Sequence, residues 1–273
     1  MAKYFIVNAD DYGRTPSISA GIRHTHLNGI VTTTTVMMNF PAAPDDLRRA
    51  MDECPRLGLG VHLTVTAGQP LLPASQVPTL VDRNGAFFKL DRLASVLPSV
   101  NPDELRAEWR AQIEKFLVSG ATLDHLDSHH HTSYFNEDVF RSMLDLALEY
   151  EVPIRSPYPV PTPTLAPRSS ALFVARILHE KPTPHPRFYV NSFYDSGATP
   201  INLLQILSRL IDGVSEIMTH PGYVDDEILS HSSYNRQRET EIAILTSDEV
   251  KKAIAANGIL LTTFAKAFSS NKQ

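Results

Sequence analysis

Along this chain, short apolar runs rich in β-branched residues alternate with stretches in which apolar side chains recur every three or four positions. The runs are Tyr4–Val7, Val31–Met38, Leu57–Leu63, Thr122–Leu126, Val152–Ile154, Phe188–Val190, Glu216–Met218 and Ile259–Phe264. Their length and composition predict buried strands, and the intervening period predicts helices packed through one face. Several helices carry start and stop signals. Asn101 caps one, with Pro102 next and Asp103 and Glu104 in its first turn; Leu105, Trp109, Ile113, Phe116 and Leu117 form its apolar stripe, and it stops near Gly120. Thr199-Pro200 opens another, with Leu203, Leu204, Leu207, Leu210 and Ile211 on one face. Thr246 with Glu249 reads as a capping box for a helix ending at Gly258. Strands alternating with helices in this way require parallel pairing with crossover helices, hence an α/β fold, either an open sheet or a (β/α) barrel of mostly parallel strands.

Two segments break the rhythm. Between Gly68 and Pro98, Thr79–Asp82 and Ala86–Leu90 flank Asn84-Gly85, which predicts a small β-hairpin insertion on the barrel rim, a candidate wall of a substrate cleft. Its Phe87, Phe88 and Leu90 are expected to pack locally. From Ser156 to Ser170 five prolines predict an ordered surface connection rather than a linker between domains. With no internal repeat, residues 1–273 are read as a single domain.

Composition narrows the class. With 273 residues, 42% of them hydrophobic, the chain can build a continuous core. Twenty-five lysines and arginines against 30 aspartates and glutamates give a formal charge of −5, a poor match to nucleic acid or anionic membranes. Cys54 is the only cysteine, so neither an intrachain disulfide nor a multi-thiolate zinc site can form. No stretch approaches the ~18 apolar residues of a membrane span. A cytoplasmic protein is the expectation.

The 11 histidines matter by position. Asn8, Asp10 and Asp11 follow the first run; His62 ends the third; Asp127, His129 and His131 follow the fourth; His220 follows the seventh. Each has an ordinary explanation by itself: an acid capping the next helix, a hydrogen-bonded core histidine, a solvated His129-His130-His131 loop, turn chemistry at His220-Pro221-Gly222. Together they stand where parallel α/β folds assemble ligand sites, at the carboxyl ends of separate strands. One carboxylate and two imidazoles suit a divalent cation, which lowers the pKa of bound water and polarises a carbonyl. A neighbouring carboxylate can accept the water's proton, and His220, on a distant strand, can protonate a leaving nitrogen.

These segments resemble the YdjC-type carbohydrate deacetylases, a family that includes chitooligosaccharide deacetylases. The likeness rests on Val-Asn-Ala-Asp-Asp-Tyr-Gly at 7–13, Gly-Ile-Val-Thr-Thr-Thr-Thr at 29–35, Gly-Val-His-Leu at 60–63, His-Leu-Asp-Ser-His-His-His at 125–131 and Thr-His-Pro-Gly-Tyr at 219–223. The first and fourth are the specific ones. The resemblance implies a distorted (β/α) barrel, one divalent ion (Mg, Zn, Mn or Co), hydrolysis of an N-acetyl group from an amino sugar or short chitooligosaccharide, and a homodimer. Carried over by motif, Asp11, His62 and His129 look like the metal ligands, Asp10 like the general base and His220 like the general acid. Asp127 looks like a group that orients an imidazole or a metal-bound water. His125 lies inside the strand-end motif. If the segment is extended, His130 faces away and takes a structural role, while His131 shares the face of His129 and could reach the substrate cleft.

Tyr12 stands where the family most often has Phe. Arg155, Arg236 and Arg238 could meet an anionic group on a substrate, although a surface or helix-face arginine is the commoner case. Two other readings use the same residues: a metal-dependent phosphoesterase, which wants a second metal for which Asp127 and His131 are spare ligands, and a catalytically silent sugar-binding protein. The facial triad of non-haem iron oxygenases fits less well, because its ligands do not come from three separate strands.

Overall fold

The computed structural model describes residues 2–157 and 170–269. Most of the proline-rich stretch lies outside them. Seven strands form one sheet: β1 (Lys3–Tyr12), β2 (Thr33–Val36), β3 (Gly58–Leu63), β4 (Leu126–Ser128), β5 (Phe188–Val190), β6 (Gly213–Thr219) and β7 (Ile259–Leu261). Their order is β4-β3-β2-β1-β6-β5, with β7 beside the first residues of β1, and every pairing is parallel. β1 sits at the centre and is buried from Phe5 to Tyr12, as a strand covered on both faces must be.

The sheet curls into a distorted (β/α) barrel. Beyond β4, Leu126 receives a parallel bridge from Ile154, and the Ile154 amide donates to Pro184 O at 3.0 Å, just ahead of β5. Closure on that side thus rests on residues 153–155, and the run predicted at Val152–Ile154 contributes a single bridge. The fourth strand begins where its predicted run ends, so Asp127 lies within it. The last run stops at Leu261, and Phe264 instead opens a short helix capped by Thr263.

Helices cover the outside. The helix Pro102–Val118 has Asn101 Oδ1 accepting from the Asp103 amide, and Leu105, Trp109, Ile113 and Phe116 are buried. Thr199 caps Pro200–Arg209. The capping box is displaced by one residue: Thr246 closes the helix Gln237–Thr246, and Ser247 caps the next, Asp248–Ala256, through the Val250 amide. The predicted hairpin shrinks to one antiparallel bridge, Val81–Phe87, and Leu90 begins a helix, Leu90–Val96. This insertion is anchored by acids of the helix Pro102–Val118: Glu108 accepts from the Leu71 and Leu72 amides, and Glu104 from the amide and hydroxyl of Thr79. Among the described residues, no helix is long and apolar enough to cross a membrane.

Candidate active site

The strand ends open into a pocket of about 770 Å³, its mouth included, lined on one side by Asp10, Asp11, His62, His129 and His220. Adjacent residues of a strand normally point to opposite faces. Asp10 and Asp11 nevertheless both reach the pocket, because β1 shifts register against β2 between Ala9 and Tyr12, and Asp11 takes φ 73°. The bulge adds one residue, which re-aims the second carboxylate. Gly13, at φ 81°, completes the turn into the helix Pro16–Asn28; a Cβ there would lie 2.7 Å from that of Ala43.

His62 comes from β3. Its Nδ1 lies 2.6 Å from Asp127 Oδ1 and 3.1 Å from the Thr35 hydroxyl. With Nδ1 donating to Asp127, Nε2 presents its lone pair to the pocket, 3.6 Å from Asp11 Oδ1 and 3.2 Å from His129 Nδ1. His129 Nδ1 is 3.2 Å from Asp11 Oδ1. Two ligands held ~2.1 Å from one ion at tetrahedral or octahedral angles lie roughly 3.0–3.4 Å apart; two of the three separations fall in that range and the third, 3.6 Å, lies just beyond it, close to the spacing of a ligand set. Asp11 Oδ1 is buried and has no well-aligned hydrogen-bond partner, an arrangement that is costly unless a cation supplies the missing charge. Asp11, His62 and His129 therefore could hold a metal ion.

A second acid-rich group, Asp10, His62 and Asp127, already encloses a cation. The buried Arg155 donates to both oxygens of Asp10 at 2.6 and 2.7 Å, sits 3.0 Å from Asp127 and donates through Nε to Glu216 at 2.6 Å. Arg155 thus spends its donors on three internal carboxylates, not on substrate. Asn8 Nδ2 also donates to Asp10, at 2.8 Å. Arg236 is exposed, whereas Arg238 is buried and donates to Asp11 Oδ2 at 2.5 Å. Sequence pattern could not separate these two arginines, since burial depends on what the helix Gln237–Thr246 packs against.

The histidine run is not extended. β4 ends at Ser128, and His130 and His131 both adopt left-handed backbone at φ 56°. All three rings consequently border the pocket. His130 lies over His129, with centroids 3.8 Å apart, and its Nδ1 meets the Thr66 hydroxyl at 3.0 Å. His131 turns to the Tyr189 hydroxyl, 3.4 Å away. His125 is outside the pocket, stacked on Phe264 and paired with Asp124. None of the pocket's lining residues belongs to the insertion at 68–98, so it is not a wall of this pocket.

His220, just past β6, places Nε2 3.9 Å from Asp10 Oδ2, with its ring against the edge of the stacked pair Tyr194 and Tyr234. Its amide donates to Glu241 Oε2 at 2.6 Å, and the Tyr234 hydroxyl donates to the other oxygen of the same buried carboxylate. Glu241, Glu216, Tyr194 and Tyr234 carried no sequence signal beyond residue type, and Thr35 was marked only as the last residue of the 29–35 motif.

Burial is the largest influence on Asp10, Asp11, His62, His129, His130, His131, His220 and Glu241. Against it, Arg155 holds the Asp10 carboxyl well below its ordinary range, and Arg238 with the nearby His129 does the same for Asp11. Burial would lower His62, but Asp127, Asp10 and Asp11 raise it. Burial carries His220 down to about 4, His131 to about 3 and His130 to about 2, and lifts Glu241 to about 7. At neutral pH the two aspartates are ionised and His220 is a neutral imidazole.

The profile of the YdjC-like protein family matches residues 4–256. A carbohydrate deacetylase of Thermoanaerobacter pseudethanolicus is 38% identical over 263 residues, 96% of this chain and 98% of its own. A solved structure from Enterococcus faecalis, described as a cellobiose-phosphate cleavage protein, superposes with a TM-score of 0.88 at 34% identity, covering 97% of this chain and 99% of that one. A family 4 carbohydrate esterase from Streptomyces lividans, solved with acetate, shares the fold at a TM-score of 0.53 and 12% identity, over 95% and 91% of the two chains. The strand-end chemistry and these full-length likenesses agree: the chain belongs to the YdjC-like family.

Proposed function

We propose that this chain is a metal-dependent carbohydrate deacetylase that removes the N-acetyl group from an amino sugar or short chitooligosaccharide, with the whole chain as one catalytic domain. The observation that carries the reading is the convergence of three ligand atoms on Asp11, His62 and His129, of which Asp11 Oδ1 is buried without a hydrogen-bond partner, beside an ionised Asp10 and a neutral His220. The activity named for the relatives agrees with it.

Asp11, His62 and His129 would hold one divalent ion, Zn²⁺, Mg²⁺, Mn²⁺ or Co²⁺. When bound, it supplies Lewis-acid polarisation of the acetamide carbonyl and acidifies water. Asp10 is the base. Arg155 and Asn8 fix both its oxygens, so its carboxylate is ionised and oriented before substrate arrives. Because His220 is neutral at rest, it must acquire the proton that it delivers. Asp10 takes a proton from water as it attacks and hands it to His220, 3.9 Å away, which delivers it to the sugar nitrogen as the C–N bond breaks. The balance is one amide and one water to one protonated amine and one acetate. Asp127 orients His62.

The phosphoesterase alternative needs ligands for a second metal. Asp127 is engaged by His62, Thr35 and Arg155, and His131 faces Tyr189. This favours a single-cation reading.

The test is acetate release from N-acetylated sugars, from monomer to short oligomers, with and without chelator. Asp10→Asn should lose at least about 10²-fold in turnover and keep its metal, whereas Asp11→Asn should lose the metal. Equal metal content in the two variants would overturn the roles, and inert sugars with a filled site would overturn the activity.

A further inference from the structure

Tyr194 is a large aromatic at the pocket wall that the fold leaves open. It is 42% exposed, while Tyr234 behind it is buried. The two rings are parallel within 11°, with centroids 4.4 Å apart, and Tyr194 meets His220 edge-on at 5.3 Å. One face of Tyr194 is thus backed by Tyr234, and among the described residues no aromatic ring or cation covers the other.

The backing is rigid. Tyr234 and the main chain of His220 are both tied to Glu241. Phe193, fully buried, anchors the Tyr194 loop from below. The turn Asp195–Gly197 is held by the Gly197 amide to Tyr194 O at 2.9 Å, by Asn202 to Ser192 O and Gly197 O, and by Gln237 to Asp195. An exposed, immobilised ring costs little further ordering when a flat apolar surface settles on it.

We propose that Tyr194 is the platform on which the pyranose ring bearing the acetamido group lies, a specificity-determining residue for the reaction. The C–H face of a pyranose is flat and apolar, and its hydroxyls project sideways, toward Asn191, Ser232 and Ser233 on the rest of the wall. The edge contact between Tyr194 and His220 sets a ring on this platform beside the imidazole that protonates its nitrogen. The inference rests on the carbohydrate reading above and adds where the sugar ring is recognised.

The experiment is calorimetric titration of the metal-loaded full chain, carrying Asp10→Asn to block turnover, with the β-1,4-linked N-acetylglucosamine disaccharide. Tyr194→Ala should weaken binding about tenfold. Tyr194→Leu, which keeps apolar cover over Tyr234 without a flat ring, should do the same, and Tyr194→Phe should restore affinity to within about twofold. Undiminished affinity in the alanine and leucine variants overturns the platform, as does a parent that binds no sugar. Acetate release is assayed separately on the chain with Asp10 intact. No release, with the binding differences present, would sink the deacetylase reading and leave the platform standing.

Discussion

Asp10 and Asp11 are consecutive residues with the same side chain and different surroundings. Asp10 has both oxygens bonded to a guanidinium, whereas Asp11 gives one oxygen to Arg238 and keeps the other bare toward two imidazoles. Residue type and position announced that both acids matter. Their different surroundings come from partners 145 and 227 positions away in sequence, which no local pattern reports. Tyr12 shows the reverse. Its departure from the family's usual Phe is absorbed structurally, since its hydroxyl donates to Asp46 O at 2.7 Å and accepts from Arg23 at 2.9 Å. Two outcomes belong at this scale. Asp127→Asn weakens the acceptor that fixes the His62 ring, and metal affinity by equilibrium dialysis should fall about 10–100-fold with the fold intact. Tyr12→Phe should cost about 1–2 kcal/mol in urea unfolding and leave kcat unchanged, because Arg23 loses a buried acceptor and neither residue lines the pocket.

Among the elements, caps and stripes were legible because they are local. Asn101 and Thr199 cap where their spacing predicts, and the error at Thr246 is one residue, the usual ambiguity between two adjacent hydroxyls. The β1 bulge and the left-handed pair His130-His131 were not legible, since extended backbone is the default for both and only the surrounding packing imposes the alternative. The insertion forms a shorter hairpin than predicted: Asn84-Gly85 does turn the chain, with the Asp82 amide on Ala86 O and Val81 bridging Phe87, while Glu104 of the neighbouring helix claims the Thr79 amide. Helix and site meet at Gly21, where a Cβ would lie 2.6 Å from the Gly222 backbone. Gly21→Ala should therefore displace the His220-Pro221-Gly222 turn. The expected result is a loss of about 1–3 kcal/mol in stability and a fall in kcat larger than any change in KM. An unchanged kcat would show that the turn absorbs the shift without moving His220.

For the molecule as a whole, the barrel collects groups that are unstable apart, which links stability to metal and pH. Metal at 1,000 times its dissociation constant should stabilise the fold by about 4 kcal/mol, a gain that chelator and Asp11→Asn both remove from the melting curve. His220 has a folded pKa of about 4 against ~6.5 unfolded, so on acidification the unfolded chain takes up the proton first. Its contribution to stability is intact above about pH 6.5 and is lost as pH falls toward 4. In chelated protein, the stability of the parent relative to His220→Gln should drop by about 2 kcal/mol between pH 7 and pH 5, read by urea titration at both. A difference independent of pH would show that the imidazole is not buried neutral.

Sequence alone determined the kinds of element, the parallel sheet and the strand ends that carry metal-type residues, because periodicity, caps and run boundaries are properties of neighbouring residues. Tertiary structure decided the rest: that Arg155 and Arg238 turn inward to two aspartates, that His125 leaves the pocket while His130 enters it, and that Glu241 ties His220 to a tyrosine stack. Those outcomes depend on which buried charge finds which partner across the barrel, and the energy of that choice resides in contacts between residues distant in the chain.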